Sequence, residues 1–347
     1  AWNYLVTGSG NYYVVTDEKI DNISIGTMRW IQVDGDTNVT VYGSPNTVSV
    51  SKSGDTLYLN GNGALDVLRK EDCTAEVKKV VVGSGIEYIS SNVFKNTDCS
   101  NVEEIILPST VKVISGAAFY DCISLKNMTV PSSVIYLGSG AIRGSDMENL
   151  NIYGRQFSFW DFAGKTKNLT IGTKYVSGSD FGDKAKNIIF TSEVETINAS
   201  FRESDIEIVD MSSSNITELA DVTFRACSKL QKVKLPSGIT SIPIYMFSDC
   251  VDLTEVELPE NLFVIKQYAF YNCSSLKSIK IPQGVKTIEH GCFEKCTSLE
   301  TVDMTEATVE KIESLAFYET ALKKFTIPET VTTMESGCLL YVALEEL

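Results

Sequence analysis

Residues 253–273 read LTEVELPENLFVIKQYAFYNC, and residues 274–296, which follow directly, read SSLKSIKIPQGVKTIEHGCFEKC. Both segments carry the same order of signals: a Leu with two further apolar residues at alternating positions, a Pro, a spaced apolar pair, and Phe-x-x-Cys. In the neighbouring coils, two residue types recur at the same interval of 23 residues (273 − 250) and keep the same spacing from each other. They are Phe224, Phe247, Phe270 and Phe293, and Cys227, Cys250, Cys273 and Cys296. A fixed period of this length is the signature of a repeat architecture.

Each part of the repeat has a physical meaning. The alternation in LKSIKI, residues 276–281, predicts a short strand with its apolar side chains on one face. Pro282 ends that strand because it has no N–H for the ladder. The spacing of Val285 and Ile288, and of the Phe-x-x-Cys residues, is close to one helical turn, which predicts a short helix or 3-10 turn on the other side of the coil. One coil buries its apolar face only by stacking on its neighbours.

The strand pattern divides the chain into two predicted domains. It recurs in about twelve coils over residues 77–347, which predicts a solenoid with one parallel strand per coil. Residues 1–76 lack the repeat but contain alternating β-formers, as in NVTVY at 38–42 and DTLYL at 55–59. We therefore expect residues 1–76 to form a small β-rich N-terminal domain or cap, since an end coil needs its apolar face covered.

The 23-residue unit, with Pro after the strand and Ala-Phe-x-x-Cys behind it, resembles the BspA-like leucine-rich-repeat surface proteins. The resemblance covers about residues 77–341. It implies a leucine-rich-repeat solenoid of the α/β class. It also implies an extracellular or cell-surface bacterial protein that adheres to a host or cell-surface protein or glycan. The resemblance identifies no ligand.

Composition limits the partners. Lys and Arg number 30 and Asp and Glu 45, which gives a net charge of −15. Nucleic acid is bound by clustered Lys and Arg, so we expect no nucleic-acid partner. No run of 18 apolar residues occurs, so we expect no membrane insertion. We also expect no cofactor, because the glycine-rich stretch at 8–11 lacks the Lys and the strand–helix setting of a phosphate loop.

The cysteines and the single histidine give no catalytic or metal site. We predict reduced, buried thiols at the recurring slot, although adjacent coils lie close enough for disulfides. The slot holds Cys99, Cys122, Cys227, Cys250, Cys273 and Cys296. Cys292 and Cys296 lack partners in zinc-finger spacing, so we assign no metal ligands. Nucleophilic catalysis by a Ser-His or Cys-His arrangement would depend on His290, which we interpret as a packed or solvated side chain.

Residues between the apolar positions of each strand point outward and form the exposed face of the sheet. One outward slot alternates in sign from coil to coil and predicts a charge ladder of lateral ion pairs. Its members are Lys234, Glu257, Lys280 and Asp303. Two positions earlier, four successive coils carry Asn127, Asn149, Asn168 and Asn187.

Two interpretations of the asparagine column remain open. Stacked amides can hydrogen-bond along the ladder and serve the structure alone. Alternatively, with Thr129, Asn151 and Thr170 beside them, they form an uncharged patch for sugar hydroxyls or an extended peptide. The coil period slips between about 144 and 225, where residues 157–162 read FSFWDF. Phe157, Trp160 and Phe162 fit core slots, which leaves Phe159 as the candidate for an exposed aromatic contact.

Three functions are compatible with this sequence. The first is an extracellular recognition or adhesion protein that presents a rigid repeat surface and is not an enzyme. The second is a carbohydrate-active hydrolase that uses a carboxylate pair, since Asp and Glu are abundant. An open sheet face, however, offers no pocket to raise the pKa of a working acid. The third is an architectural spacer on a cell surface. The oligomeric state cannot be predicted.

Overall fold

The computed structural model describes residues 48–346 except 96, 121, 143, 145, 159–163 and 179–180, together with five strands before residue 48. The chain divides into two compact units. Unit one comprises residues 1–157 and 161–166, and unit two comprises residues 158–160 and 167–347. Strands β16 (Gln156–Ser158) and β17 (Lys165–Ile171) each carry residues of both units.

Unit one contains the first fifteen strands. They are β1 Leu5–Gly8, β2 Asn11–Val15, β3 Ile20–Ser24, β4 Trp30–Asp34, β5 Asn38–Tyr42, β6 Ser49–Ser53, β7 Thr56–Asn60, β8 Gly63–Leu65, β9 Lys79–Val82, β10 Ile86–Ile89, β11 Glu104–Ile106, β12 Val113–Ile114, β13 Asn127–Val130, β14 Tyr136–Leu137 and β15 Asp146–Ile152. Strands β1–β3 and β4–β5 are antiparallel. Their role as a cap remains a prediction.

Two sheets run through the coils of unit one. The front sheet contains β6, β7, β9, β11, β13 and β15 in spatial order, and its strands are parallel apart from the β6–β7 hairpin. The back sheet contains the parallel strands β8, β10, β12 and β14. The front sheet thus already includes β7, which precedes the predicted boundary at residue 77.

Unit two continues the same plan with thirteen strands. They are β18 Tyr175–Gly178, β19 Ala185–Phe190, β20 Thr196–Ala199, β21 Ile208–Asp210, β22 Lys232–Lys234, β23 Ser241–Ile242, β24 Glu255–Glu257, β25 Val264–Ile265, β26 Ser278–Lys280, β27 Thr287–Ile288, β28 Thr301–Asp303, β29 Lys311–Ile312 and β30 Thr333–Met334. Its front strands are β19, β21, β22, β24, β26 and β28, and its back strands pair in parallel as β18–β20 and β23–β25–β27–β29–β30. Strand β17 belongs to the front sheet as well, so eleven front strands from β9 onward and the isolated bridge between Lys324 and Glu346 account for the predicted number of about twelve coils.

The predicted helical turn in each coil is wrong. The Val-x-x-Ile spacing belongs to a back strand, such as β27, and the Phe-x-x-Cys segment forms turns that we call the turn wall. A single 3-10 helix, Cys99–Asn101, occurs in the described part of the chain. Tyr268 and Asn272 both have φ of 55°, a left-handed conformation that a right-handed helix cannot contain. Their N–H groups donate instead to the next coil, to the carbonyl oxygens of His290 at 3.0 Å and Glu294 at 2.8 Å.

The phenylalanine column is confirmed as the spine of the core in unit two. Rings of successive coils stack at centroid distances of 5.8 Å (Phe224–Phe247), 5.3 Å (Phe247–Phe270) and 5.2 Å (Phe270–Phe293). All four side chains are fully buried. Each aromatic pair contributes about 0.5–1.5 kcal/mol beyond its area burial, so the column couples each coil to the next.

Cys99 forms a disulfide with Cys73, which corrects the prediction of a reduced thiol there. Cys73 lies before the predicted start of the solenoid, so the repeat pattern does not place it in the cysteine slot. It nevertheless lies four residues before Val77, much as Cys99 lies three residues before Val102. Their Cα atoms are 5.5 Å apart, within the usual range for a disulfide. The other five cysteines of the slot are free and buried, as predicted.

Candidate ligand-binding face of the front sheet

The asparagines of unit one lie side by side on β13 and β15. The register places Asn127 opposite Asn149 and Thr129 opposite Asn151. The Asn149 Nδ2 group donates to Asn127 Oδ1 at 2.7 Å, and Asn151 Nδ2 donates to Thr129 Oγ1 at 3.2 Å. Asn127 and Thr129 are exposed, while Asn149 and Asn151 are half-buried. The amides therefore bond along the sheet and still present polar atoms to solvent.

These four side chains line a groove of about 400 Å³ on the front sheet. Its lining also includes Glu104, Ile105, Ile106, Leu107 and Met128. Ile105 and Met128 are each 2% exposed and belong to the core beneath the sheet. Ile106 is 39% exposed and gives one part of the groove an apolar wall. The groove thus combines uncharged hydrogen-bonding groups with apolar surface on a packed support.

Charges near the groove are paired with one another. Lys79 Nζ lies 2.8 Å from Glu104 Oε2, and Lys126 Nζ lies 2.6 Å from Glu103 Oε2. The hydrogen bond from Lys126 lowers the pKa of Glu103, so this carboxylate remains ionised and paired at neutral pH. Exposed pairs of this kind add little stability, but they cancel charge locally.

Unit two holds the remaining asparagines of the predicted column. Asn187 Nδ2 donates to Asn168 Oδ1 at 2.8 Å, and both side chains and Thr170 are half-buried. The buried Asn187 Oδ1 atom has no hydrogen-bond partner among the described residues. The predicted patch is thus assigned to two units, with Asn127, Thr129, Asn149 and Asn151 in unit one and Asn168, Thr170 and Asn187 in unit two.

The aromatic candidate Phe159 lies outside the described residues, as do Trp160 and Phe162. Phe157 is 2% exposed, in agreement with its assignment to a core slot. Sequence reasoning did not place Glu104 or Ile106 in the site. A signal for Ile106 was present, because it occupies the same outward slot as Thr129 and Asn151.

In the structure, residues of the predicted charge ladder do not form ion pairs with the ladder residues that they face. The register is as expected, with Lys234 opposite Glu257 and Lys280 opposite Asp303. Lys280 Nζ nevertheless lies 2.8 Å from Glu306 Oε2, because its long side chain extends past the facing slot to the loop.

The two ends of the ladder also find other partners. Asp303 Oδ1 accepts from the Thr305 N–H at 3.0 Å, and its hydrogen bonds from Thr305 lower the pKa of Asp303. Lys234 Nζ lies 4.0 Å from Asp210 Oδ2, on the preceding strand. A lateral ion pair is formed two positions earlier, where Lys232 Nζ lies 2.5 Å from Glu255 Oε1.

His290 is packed into the turn wall. Its Nδ1 lies 2.7 Å from Ser314 Oγ, and its ring meets the Tyr268 ring edge-on at 5.1 Å. The nearby Cys292 is fully buried, and burial raises the pKa of its thiol well above the usual range. These contacts give His290 a structural environment without an activated thiol beside it.

Within the described residues, no cluster of three or more His, Cys, Asp or Glu side chains could hold a metal ion. No helix in that part of the chain is long and apolar enough to cross a membrane.

Three of the solved structures similar to this chain are of bacterial proteins, and each has low sequence identity to it. A leucine-rich repeat protein from Bacteroides ovatus is 20% identical, with 88% of this chain and 99% of that chain covered and a TM-score of 0.42. A leucine rich cell surface protein from Faecalibacterium prausnitzii is 14% identical over 81% of this chain and 96% of that chain, with a TM-score of 0.31. The pneumococcal vaccine antigen PcpA is 16% identical over 94% of this chain and 92% of that chain, with a TM-score of 0.28.

No curated protein matches the chain. The sequence profile of the BspA type leucine rich repeat region (6 copies) matches residues 71–166, 155–275 and 217–345. These matches extend over most of the 347 residues, and the chain therefore belongs to the BspA-type leucine-rich-repeat family.

Proposed function

We propose that this protein is an extracellular recognition or adhesion protein, and that the front-sheet groove of unit one binds a protein or glycan ligand. The observation that carries the proposal is the set of four uncharged side chains in one groove, Asn127, Thr129, Asn149 and Asn151. Amides and hydroxyls of this kind recognise partners by directional hydrogen bonds, and the apolar wall adds contact area.

The groove is suited to binding because its side chains are held in place before a ligand arrives. Asn149 and Asn151 alternate along β15 with Leu150 and Ile152, which are buried. The side-chain hydrogen bonds to Asn127 and Thr129 further restrict the rotamers. A preorganised site loses less side-chain entropy on binding.

The disulfide between Cys73 and Cys99 supports an extracellular location. Disulfides persist in secreted and surface proteins and are rare in reducing compartments. Family membership supports the same proposal, since the repeat surface of such proteins serves recognition.

A binding array tests this proposal. The full chain is applied to immobilised glycans and extracellular-matrix proteins, next to the double variant Asn127→Ala/Asn149→Ala. We expect saturable binding that the double variant weakens at least about tenfold, the loss of about 1.4 kcal/mol that one or two good hydrogen bonds supply. Removing both amides together leaves neither partner of that bond unpaired.

The matched control is Ser278→Ala/Thr301→Ala. These residues face each other across β26 and β28 in unit two and occupy the outward slot that Asn127 and Asn149 occupy in unit one. Circular dichroism and the melting temperature verify folding of both variants. Equal loss of binding in the control, or unchanged binding in the groove variant, would remove the groove from the proposal.

A further inference from the structure

The outward column that includes Thr129 and Asn151 continues beyond the groove. Tyr58 pairs with Val81, and Val81 pairs with Ile106. The register of β11 and β13 places Ile106 beside Thr129, which faces Asn151. Tyr58 is 36% exposed and Ile106 39% exposed. The column therefore changes from apolar and aromatic at one end to uncharged polar at the other.

The neighbouring column adds no net charge. It runs through Lys79, Glu104, Asn127 and Asn149 in register. Its two charged members, Lys79 and Glu104, form an ion pair at 2.8 Å. Across both columns, the surface therefore favours an uncharged ligand.

Hydrogen-bonding capacity remains at the polar end. Among the described residues, the Asn127 Nδ2 group and the Asn151 Oδ1 atom have no partner, and Thr129 Oγ1 accepts from Asn151 and keeps its own proton to donate. Donors and an acceptor thus lie within one groove. A sugar hydroxyl both donates and accepts, so it matches such a mixed set.

We propose that the ligand of this groove is a neutral oligosaccharide that lies across the front-sheet strands from Tyr58 to Asn151. This inference rests on the proposed function and specifies its ligand. The apolar faces of the sugar rings contact Tyr58, Val81 and Ile106, and the hydroxyls bind the polar end. The four strand intervals span roughly 19 Å at ~4.8 Å each, enough for about four sugar rings.

The same surface is poorly suited to other ligands. An extended peptide gains much of its affinity by adding a strand at an open sheet edge. The inner front strands β9, β11 and β13 are paired on both sides, so this face offers no such edge. A sulfated or uronic-acid chain would be repelled by a protein with a net charge of −15.

Titration calorimetry with the full chain tests the inference. The probes are cellotetraose, xylotetraose, mannotetraose and galactotetraose, with tetragalacturonate as the acidic counterpart. We expect at least one neutral probe to bind with submillimolar affinity and the acidic probe to bind at least about tenfold more weakly. Tyr58→Ala and Ile106→Ala should each lower the affinity about fivefold, because each removes apolar contact.

The control variant is Ile189→Ala. Ile189 is 48% exposed and occupies the same outward slot on β19 in unit two, so its loss should leave sugar binding unchanged. Sugar binding that ignores Tyr58→Ala and Ile106→Ala overturns the inference. If no neutral sugar binds while a matrix protein binds through Asn127 and Asn149, the oligosaccharide is wrong and the proposed function stands. If neither ligand class uses the groove, both fail.

Discussion

Gly291 lies in the turn wall at a position where a Cβ would overlap a neighbouring side chain. Its φ is +59°, and a Cβ built there would lie 2.5 Å from Cε1 of the Tyr268 ring. That ring stacks on Tyr245 at 4.8 Å, so it has little freedom to move away. A left-handed conformation costs a non-glycine residue about 1–2 kcal/mol, and the overlap adds to this cost. We therefore predict that Gly291→Ala lowers the free energy of unfolding by more than the conformation alone.

Gly182→Ala is the control for this prediction. Gly182 has φ +54° in the same unit, and a Cβ there meets no atom of the residues that the structure describes within 4 Å. Urea titration of both variants separates the two costs, because Gly182→Ala carries the conformational cost alone. Equal destabilisation of the two variants would show that the Tyr268 ring moves without resistance.

The phenylalanine column links each coil to the next along the turn wall. Phe270 is fully buried between Phe247 and Phe293. We predict that Phe270→Ala lowers the free energy of unfolding by about 3–5 kcal/mol, because it removes a ring and leaves a cavity in a close-packed stack. Phe263→Ala is the matched control, since Phe263 is 58% exposed and its loss should change stability by less than about 0.5 kcal/mol. Comparable losses in denaturant titrations of the two variants would contradict the core assignment.

The elements differ in how well the sequence predicts them. The front strands and the phenylalanine column follow from apolar periodicity, which is a local signal. The turn wall could not be predicted, since Tyr245 and Lys295 adopt φ of 53° and 61° although neither residue type favours that region. Tyr245 donates its N–H to the Gln267 carbonyl oxygen of the next coil at 3.1 Å. Such non-local bonds override the helical spacing.

The candidate site likewise contains some features that the sequence predicts and others that it does not. The outward direction of Asn127 and Asn149 follows from alternation in the strand, and their pairing follows from the repeat interval. The apolar half of the surface includes Tyr58, which lies in the segment where the repeat is not recognisable. Its place beside Val81 depends on the parallel pairing of β7 with β9, a tertiary fact that no sequence period records.

The nine cysteines allow the packing of every coil that contains one to be tested by thiol labelling. Seven are free and buried, and two form the disulfide. A thiol reacts as the thiolate and needs access to the reagent. Burial opposes both, since it raises the pKa of Cys296 to about 12 and moves the pKa of Cys273 well above its usual range. We predict that N-ethylmaleimide labels none of them rapidly in the native protein.

Unfolding, and then reduction, should raise the number of labelled cysteines in two steps. In urea without reductant we expect seven labels, with Cys73 and Cys99 recovered as one disulfide-linked peptide by mass spectrometry; after reduction we expect nine labels and no linked peptide. Seven or nine labels in urea therefore distinguish a formed disulfide from an absent one, and fewer than seven would reveal further disulfides among the cysteines of the repeat.

In the native state, slow labelling should reach Cys338 first. It is 6% exposed beside Leu340 and Tyr341, which are 48% and 71% exposed, whereas Cys250 is fully buried. Because each coil is stabilised by its neighbours, the coil with the most exposed apolar residues opens at the lowest free energy. Uniform labelling of all seven thiols would instead show that the chain opens as one cooperative unit.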